Sequence, residues 1–269
     1  MNSSLREFAK WIVPYNIWNR LRQKRLDAGR ARQLAAAQSI SAKVDDYTCA
    51  AAIEFLVSHG CDRAQLVAGS MPQMSLDYAR SFLPADARRG LHVGNFVGVS
   101  LAYFIHALGS ESVVVAVDPN IVHRGIANPA RRVLALLEHF GLEQNCLLLT
   151  GYSLERSVAN DGRDYAGGFA TTEVFATEPS CAQVLPQLTR LSPSTFDFAV
   201  MDGNHEGSYL RRELACIVTL LKPGGILMLD DVSSEWFEIE RVYEEIVTDM
   251  FKKLGTDGRV GVLRKHSAD

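Results

Sequence analysis

The stretch FDFAVMDGNHEGSYLRRELACIVTLLKPGGILMLDDV, residues 196–232, decides the fold. Two short apolar runs of the kind that form buried β-strands stand at its ends, and a segment with helical spacing lies between them. The first run ends at Asp202, and the second ends at Asp230 and Asp231. Because two strands joined by a helix are parallel, their carboxyl ends lie at the same edge of a sheet. The pattern therefore predicts three carboxylates on neighbouring strand ends.

The same alternation of strand and helix continues on both sides of this stretch. Strands separated by helices of about 10 to 15 residues are typical of a parallel, doubly wound sheet. We therefore predict an α/β protein with a Rossmann-like, doubly wound, mostly parallel sheet. Its predicted strands are 90–94, 112–118, 146–151, 196–202, 225–231 and 259–265, and its helices are 97–108, 129–141, about 207–221, and 235–253.

The chain before the sheet is predicted to be an N-terminal helical extension, residues 1–67. It is followed by the sheet domain, residues 68–269, with an inserted loop at about 154–180. Residues 3–38 have the pattern of a basic amphipathic helix, which suits an anionic membrane surface, a partner protein, or packing on its own domain. Aromatic residues in that helix also suggest a homodimer contact.

Composition excludes several classes of protein. The 269 residues are 47% apolar and 22% charged, as in an ordinary globular protein with a sizeable core. The net charge of -3 gives no general attraction to nucleic acid, and no nucleic-acid partner is expected. Five cysteines without close pairing favour a reducing compartment, and neither a membrane span nor a signal peptide is indicated. We therefore expect a cytoplasmic protein.

A glycine-rich turn follows the first strand, and a carboxylate ends the second. In HVGNFVGVS, residues 92–100, Gly94 and Gly98 allow a tight turn and a close approach of the backbone to a ligand. A purely structural turn explains the two glycines as well, and the GxGxxG of nicotinamide-binding proteins is absent. Asp118 ends the next strand, where a carboxylate accepts hydrogen bonds from the ribose hydroxyls of an adenosine. Together the two features favour an adenosine-containing ligand.

The order of these segments resembles the class I S-adenosylmethionine-dependent methyltransferases. The resemblance covers about residues 68–265 and is strongest to the small-molecule and sugar O-methyltransferases that carry a DGxH segment. It rests on LHVGNFVGVS, VVAVDPN, LLLTGYS, FDFAVMDGNH and LLKPGGILMLDDV. It implies S-adenosylmethionine (SAM) as cofactor and a hydroxyl on a small molecule as methyl acceptor. The cofactor-binding residues that it implies are His92, Gly94, Asn95, Gly98, Ser100, Asp118, Gly151, Tyr152, Ser153 and Asp202.

The acidic strand ends suggest a metal site. Carboxylates at one edge repel one another by roughly 4 kcal/mol per pair at about 4 Å in an effective dielectric near 20. A cation relieves that repulsion, and all-oxygen ligands suit Mg²⁺, Mn²⁺ or Ca²⁺. The resemblance to catechol-type O-methyltransferases implies metal binding by Asp202, Asp230 and Asp231. The alternative is that these side chains bind substrate or cofactor by hydrogen bonds without a metal.

His205 follows Asp202 by three residues, where the catechol-type enzymes place a basic residue beside the metal. An imidazole is a suitable base for the proton that the acceptor hydroxyl loses during methyl transfer. We therefore assign His205 and Asp202 to catalysis, with capping of the next helix as the structural alternative for His205. Glu235 and Trp236 are candidates either for the acceptor pocket or for packing.

A second hypothesis is a non-catalytic, methyltransferase-like module. It would bind or scaffold at a membrane surface or in a biosynthetic complex, held there by the basic helix. His92 and Tyr152 motivate it, because acidic residues that recognise the cofactor are common at those two positions in the family that the chain resembles.

Overall fold

A computed structural model of the protein describes residues 47–154, 183–246 and 250–267. The predicted basic helix at 3–38, and nearly all of the predicted insertion at 154–180, lie outside these residues. Within the described part of the chain, no helix is both long and apolar enough to cross a bilayer.

A sheet of seven strands is the centre of the fold. The strands are β1 (Arg89–Val93), β2 (Val113–Asp118), β3 (Cys146–Thr150), β4 (Phe196–Met201), β5 (Leu221–Leu229), β6 (Phe251–Thr256) and β7 (Gly261–Lys265). Their order across the sheet is β3-β2-β1-β4-β5-β7-β6. The strands β1 to β5 are parallel, whereas β7 is antiparallel to both β5 and β6. The predicted Rossmann-like, mostly parallel sheet is confirmed, and its strand order reverses at β1 and β4, where such folds bind ligands.

Helices flank the sheet and begin at recognisable signals. They are α1 (Cys49–Ser58), α2 (Arg63–Ala68), α3 (Gln73–Arg80), α4 (Val99–Leu108), α5 (Pro129–Phe140), α6 (Leu185–Leu191), α7 (Gly207–Leu220) and α8 (Phe237–Glu245). Thr48 and Asp62 cap α1 and α2, each accepting a backbone N–H of the first turn. Pro129 begins α5, where its missing N–H has no partner to lose.

The sheet separates two apolar layers. Along β4, Phe198 and Val200 face the layer formed with α1 to α5, while Ala199 and Met201 face the layer formed with α6 to α8. This alternation is the two-residue period of a strand that is buried on both faces. β4 is the central strand of the seven, so its carboxyl end, and Asp202 beyond it, lie in the middle of the sheet.

The helix predicted over 235–253 is wrong in its second half. α8 ends at Glu245, and the chain from Phe251 onward forms the edge strand β6. Phe251 is buried in the second layer and pairs with Lys265. Burial and ladder hydrogen bonds outweigh the helical tendency of this lysine-containing segment, because propensity is a weak preference beside tertiary packing.

The compact unit that contains the sheet begins at Asp46. It therefore starts upstream of residue 68, where the predicted boundary of the sheet domain lies. The reason is packing: α1 and α2 contribute Leu56 and Leu66, both fully buried, to the first apolar layer. These two helices form part of the core of the sheet domain.

Candidate functional site

A cavity of about 170 Å³ opens at the carboxyl ends of the parallel strands. The turns after β1, β2, β3, β4 and β5 all contribute to its wall, as expected at the ligand-binding edge of an open α/β sheet. Seven of the residues predicted from the sequence line it: Gly94, Asp118, Tyr152, Ser153, Asp202, His205 and Asp231. The structure therefore brings both halves of the predicted site into one crevice.

Gly94 allows β1 and β4 to end side by side. Its φ is +76°, and a Cβ at this position would lie 2.0 Å from the carbonyl oxygen of Asp202. Hydrogen bonds join the end of β1 to both of its neighbours. Gly94 N–H donates to Val117 O of β2 at 2.9 Å, and Asp202 N–H, after β4, donates to Val93 O of β1 at 2.8 Å. No side chain fits between these strands, so position 94 requires glycine.

Asp118 shapes the glycine turn as well as lining the cavity. Its Oδ2 accepts the N–H groups of Asn95 at 3.1 Å and Phe96 at 3.2 Å, and its Oδ1 accepts that of Asn120 at 2.8 Å. Burial raises the pKa of Asp118, while these three hydrogen bonds act in the opposite direction. A carboxylate has about four acceptor positions, so Asp118 retains capacity for a ligand hydroxyl.

Six predicted residues do not line the cavity: His92, Asn95, Gly98, Ser100, Gly151 and Asp230. His92 is fully buried beneath the turn, and its Nε2 lies 3.0 Å from the hydroxyl oxygen of Ser100. Burial lowers the pKa of His92 to about 3, so the imidazole is neutral. His92 and Ser100 therefore support the glycine turn from below. Gly98 has a φ of +89° and precedes α4.

The wall after β3 rests on a buried polar group. The hydroxyl of Ser153 donates to Glu213 and lies 3.2 Å from the hydroxyl of Tyr209, which accepts the N–H of Leu154 at 3.2 Å. Glu213 is 1% exposed, and burial raises its pKa to about 8. The carboxyl is therefore neutral at pH 7, and it holds the Ser153 hydroxyl, which lies beside that of Tyr209 on the cavity wall.

The acid cluster of Asp202, Asp230 and Asp231 lies at the ends of β4 and β5. Arg259 donates to both oxygens of Asp230, from Nε to Oδ1 at 2.9 Å and from Nη2 to Oδ2 at 3.0 Å. The same Nη2 lies 3.5 Å from Oδ1 of Asp231. Burial and the two neighbouring carboxylates hold the pKa of Asp202 well above its ordinary value. A guanidinium thus relieves part of the predicted repulsion.

His205 pairs with Asp231 inside the cavity. Its Nε2 lies 3.0 Å from Oδ2 of Asp231, and its ring stacks on Trp236 with centroids 4.3 Å apart and an interplanar angle of 26°. Burial acts to raise the pKa of Asp231, but His205 and Arg259 together lower it. Asp231 is therefore ionised and orients the imidazole, while its own backbone has a φ of 58°. Positive φ in a residue other than glycine is a strained conformation that is frequent at functional sites.

Comparison with known families shows where the chain belongs. A family model described as "Methyltransferase domain" matches residues 91–232, which are more than half of the 269-residue chain. The chain is a member of this methyltransferase family. The resemblance that its motifs carry is confirmed. Among curated protein sequences, none matches the chain.

Solved methyltransferase structures share the fold at low sequence identity. An O-methyltransferase from Bacillus cereus in complex with S-adenosylhomocysteine (SAH) is 16% identical, with a TM-score of 0.52 over 86% of this chain and 96% of that one. TomG from Streptomyces achromogenes, an O-methyltransferase involved in tomaymycin synthesis and in complex with SAM, is 16% identical, with a TM-score of 0.51 over 83% and 91%. A putative caffeoyl-CoA O-methyltransferase from Staphylococcus aureus is 12% identical, with a TM-score of 0.53 over 91% and 99%. These likenesses establish the class I methyltransferase fold.

The metal set predicted for this methyltransferase, Asp202, Asp230 and Asp231, fits the structure poorly. Both oxygens of Asp230 accept hydrogen bonds from Arg259, so a metal ion bound there would lie beside the positive charge of the guanidinium. A different trio, Asp202, His205 and Asp231, has one potential ligand atom per residue, all within 4.8 Å of one another. Two carboxylates and an imidazole are chemically suited to a divalent ion.

Several cavity residues were not predicted as site residues. They are Phe96, His123, Arg124, Asn204, Tyr209 and Arg259. Phe96 has a φ of 44°, and its ring meets that of His123 edge-on at 5.0 Å. Trp236, considered earlier for either the pocket or packing, lines the cavity, whereas Glu235 is exposed outside it. A pattern of strand ends does not reveal residues that loops and the last hairpin bring to the site.

Proposed function

We propose that this methyltransferase transfers the methyl group of SAM to a hydroxyl of a small molecule, a sugar or another hydroxylated ring compound. The observation that carries the proposal is the His205–Asp231 pair, with Nε2 and Oδ2 3.0 Å apart, in the same cavity as Gly94 and Asp118. The side of the cavity with Gly94 and Asp118 can hold a nucleoside, and His205 can accept a proton from the acceptor. That combination is what SAM-dependent O-methylation requires.

The cofactor half of the proposal rests on the turns after β1, β2 and β3. The glycine turn at Gly94 lets the backbone approach the methionine part of SAM. Asp118 is placed to accept a ribose hydroxyl, and Tyr152 and Ser153 line the wall where the adenine would lie. Two of the similar solved structures are described as bound to SAM or SAH, which agrees with this assignment.

The reaction half rests on His205. In methyl transfer, the acceptor oxygen attacks the methyl carbon, the bond from sulfur to that carbon breaks, and the hydroxyl proton must leave. We assign the acceptance of that proton to the imidazole of His205, whose Nε2 lies 3.0 Å from Oδ2 of Asp231. The resulting imidazolium is stabilised by the ionised Asp231. Such a positioned base contributes about 10² to 10⁴ in rate.

The acceptor class follows from the aromatic side chains around His205. Trp236 stacks on the imidazole, and Phe96 and His123 lie on the cavity wall. Small-molecule pockets are mostly apolar and aromatic, with a few polar groups that fix orientation. Aromatic faces of this kind pack against the ring of a sugar or phenol and leave its hydroxyl for the base.

A divalent cation is the second candidate feature of the reaction. The Asp202, His205 and Asp231 trio favours it, and a bound ion would lower the pKa of the acceptor hydroxyl. Such an ion would use the imidazole as a ligand and so remove His205 as the base. We therefore assign the proton transfer to His205, and the requirement for a metal is tested by chelation.

A direct test uses SAM with a tritiated methyl group and a panel of sugars, phenols and hydroxylated polyketides. The proposal expects one class to be labelled by the wild type, and labelling to fall about 100-fold or more in His205→Ala. The binding of SAH to this variant should be unchanged. A variant that labels the acceptor as fast as the wild type would refute the role of His205. Transfer only to amines would refute O-methylation.

The remaining expectations concern parts of the chain outside the described residues. Attachment to a membrane surface or partner, a homodimer, and the non-catalytic alternative all depend on the basic helix at 3–38. Cytoplasmic location likewise stays a prediction. Deleting residues 1–46 and measuring vesicle binding and molecular mass in solution tests the contacts attributed to that segment.

A further inference from the structure

We propose that Arg259 is the resident cation of the acid cluster, and that its guanidinium takes the place a divalent ion would otherwise hold. The inference rests on the proposed function and deepens it, because it makes the methyl transfer independent of metal. It names a positioning residue that the sequence patterns did not indicate.

The contact between Arg259 and Asp230 is the first observation. The guanidinium donates two parallel hydrogen bonds, at 2.9 and 3.0 Å, to the two oxygens of one carboxylate. The Asp230 side chain is 1% exposed, whereas that of Arg259 is 32% exposed. Such bidentate pairs are among the strongest and most directional hydrogen bonds in proteins. An ion bound to Asp230 would share its oxygens with the guanidinium and would lie beside that positive charge.

The backbone holds Arg259 in this position. Its N–H donates to Oδ1 of Asp257 at 2.9 Å, and its carbonyl accepts the N–H of Val232 at 2.7 Å. Arg259 therefore lies in the turn between β6 and β7, bonded to the residue that directly follows Asp231. The guanidinium is anchored next to the acid cluster through its own main chain, so its position does not depend on the side chain alone.

The same guanidinium connects to the proposed base. Nη2 of Arg259 lies 3.5 Å from Oδ1 of Asp231, and Oδ2 of Asp231 lies 3.0 Å from Nε2 of His205. Asp231 is thus held between a permanent cation and the imidazole. Arg259 keeps this carboxylate ionised and oriented, and in this way it positions His205 without touching the reacting atoms.

A divalent ion at the remaining trio of Asp202, His205 and Asp231 would lie near the positive charges of two arginines. Arg259 lies beside Asp231, and Arg124 lines the same cavity. Burial lowers the pKa of Arg124, while the charges of Asp231 and Asp202 act to raise it. An arginine is protonated at every physiological pH, so this charge does not vanish to admit a metal. Removal of the Arg259 charge should therefore open a metal site that the wild type lacks.

The test is a titration of the complete, chelator-treated protein with Mn²⁺, followed by electron paramagnetic resonance of the free ion. We expect wild type to bind Mn²⁺ weakly, and Arg259→Met to bind one ion at least about tenfold more tightly. Arg259→Lys, which restores a positive charge, should bind as weakly as the wild type. Adding Asp202→Asn to Arg259→Met should abolish the new site.

Two results would overturn the inference. The first is tight, stoichiometric Mn²⁺ binding by the wild type that is lost in Asp202→Asn, because the metal would then coexist with Arg259. The second is an Arg259→Met variant that remains folded and still fails to bind Mn²⁺. If Arg259→Met does not fold, Arg259→Gln replaces it, and the wild-type titration decides independently. SAH binding is measured in parallel, since its absence from folded wild type defeats the proposed function whatever Mn²⁺ does.

Discussion

Glu213 allows a quantitative prediction about stability, because its carboxyl is buried next to the residues that line the cavity. The side chain is 1% exposed, Oε1 accepts the hydroxyl of Ser153, and Oε2 has no hydrogen-bond partner among the described residues. Burial raises its pKa from the ordinary 4.5 to about 8, against smaller opposing effects of Ser153 and Arg212. Glu213 is therefore neutral in the folded protein at pH 7 and ionised in the unfolded chain.

The sign of the pH dependence follows from this difference. Unfolding releases a proton between the unfolded and folded pKa values, so the free energy of unfolding falls as pH rises from 4.5 to about 8. Each pKa unit corresponds to about 1.4 kcal/mol, and the whole window amounts to at most about 5 kcal/mol. Glu213→Gln keeps an acceptor for Ser153 but has no proton to release. We expect it to match the wild type at pH 5 and to be more stable by up to about 4 kcal/mol at pH 8.

Urea unfolding of both proteins from pH 5 to pH 8.5 measures the effect. The difference between the two free energies of unfolding should grow steadily with pH, by about 1.4 kcal/mol per unit over most of the window. Glu111→Gln, at an exposed position, is the matched control and should follow the wild type. Parallel curves for wild type and Glu213→Gln would show that Glu213 is already ionised in the fold, and would refute the reasoning.

Three further predictions concern the strand ends. Gly94→Ala should lower the free energy of unfolding by roughly 3 kcal/mol or more in the same urea assay, because a Cβ there would lie 2.0 Å from a carbonyl oxygen. The control is Gly60→Ala, where φ is also positive, at +85°, but the surroundings are open. It should lose only about 1–2 kcal/mol. The side chain of Lys222 and the N–H groups of Arg88 and Arg89, both at 2.9 Å, donate to Asp197, and together they outweigh burial and lower its pKa. Thermal melts should therefore show stability lost as pH falls below 3.8, and less so in Asp197→Asn. Asp231→Asn should reduce methyl transfer to the acceptor found by labelling and leave the Kd for SAH within about twofold of wild type.

The positions of the strand-end residues were predictable because topology alone brings them together. Asp118, Asp202 and Asp231 follow apolar runs, and parallel strands place such residues at one edge of the sheet. The same reasoning placed His205 beside them, three residues after Asp202.

The contact between Arg259 and Asp230 is not predictable from local patterns, because the two residues are 29 positions apart in the chain. Asp230 and Arg259 meet only because β7 runs antiparallel to β5. The predicted helix extends to residue 253, into β6, so the sequence pattern does not indicate the hairpin that carries Arg259. Long-range pairing of edge strands depends on tertiary packing, which local patterns do not contain.

The burial of Glu213 is predictable from the sequence, because this acidic residue falls on the apolar face of a helix. Within α7, the buried residues Leu210, Leu214 and Ile217 recur at helical spacing, and Glu213 lies on the same face. A carboxylate on the apolar side of a buried helix is uncommon and indicates a polar partner in the core. The partner, Ser153, directly follows Tyr152, whose position usually carries an acid in the family that the chain resembles.

Calorimetric titration of SAH into the folded protein tests the central claim most directly. The account predicts one binding site per chain and a loss of affinity of about tenfold or more in Asp118→Ala, with circular dichroism showing that the variant stays folded. Absence of measurable binding by the folded wild type at millimolar SAH would contradict the claim that this cavity is a SAM site.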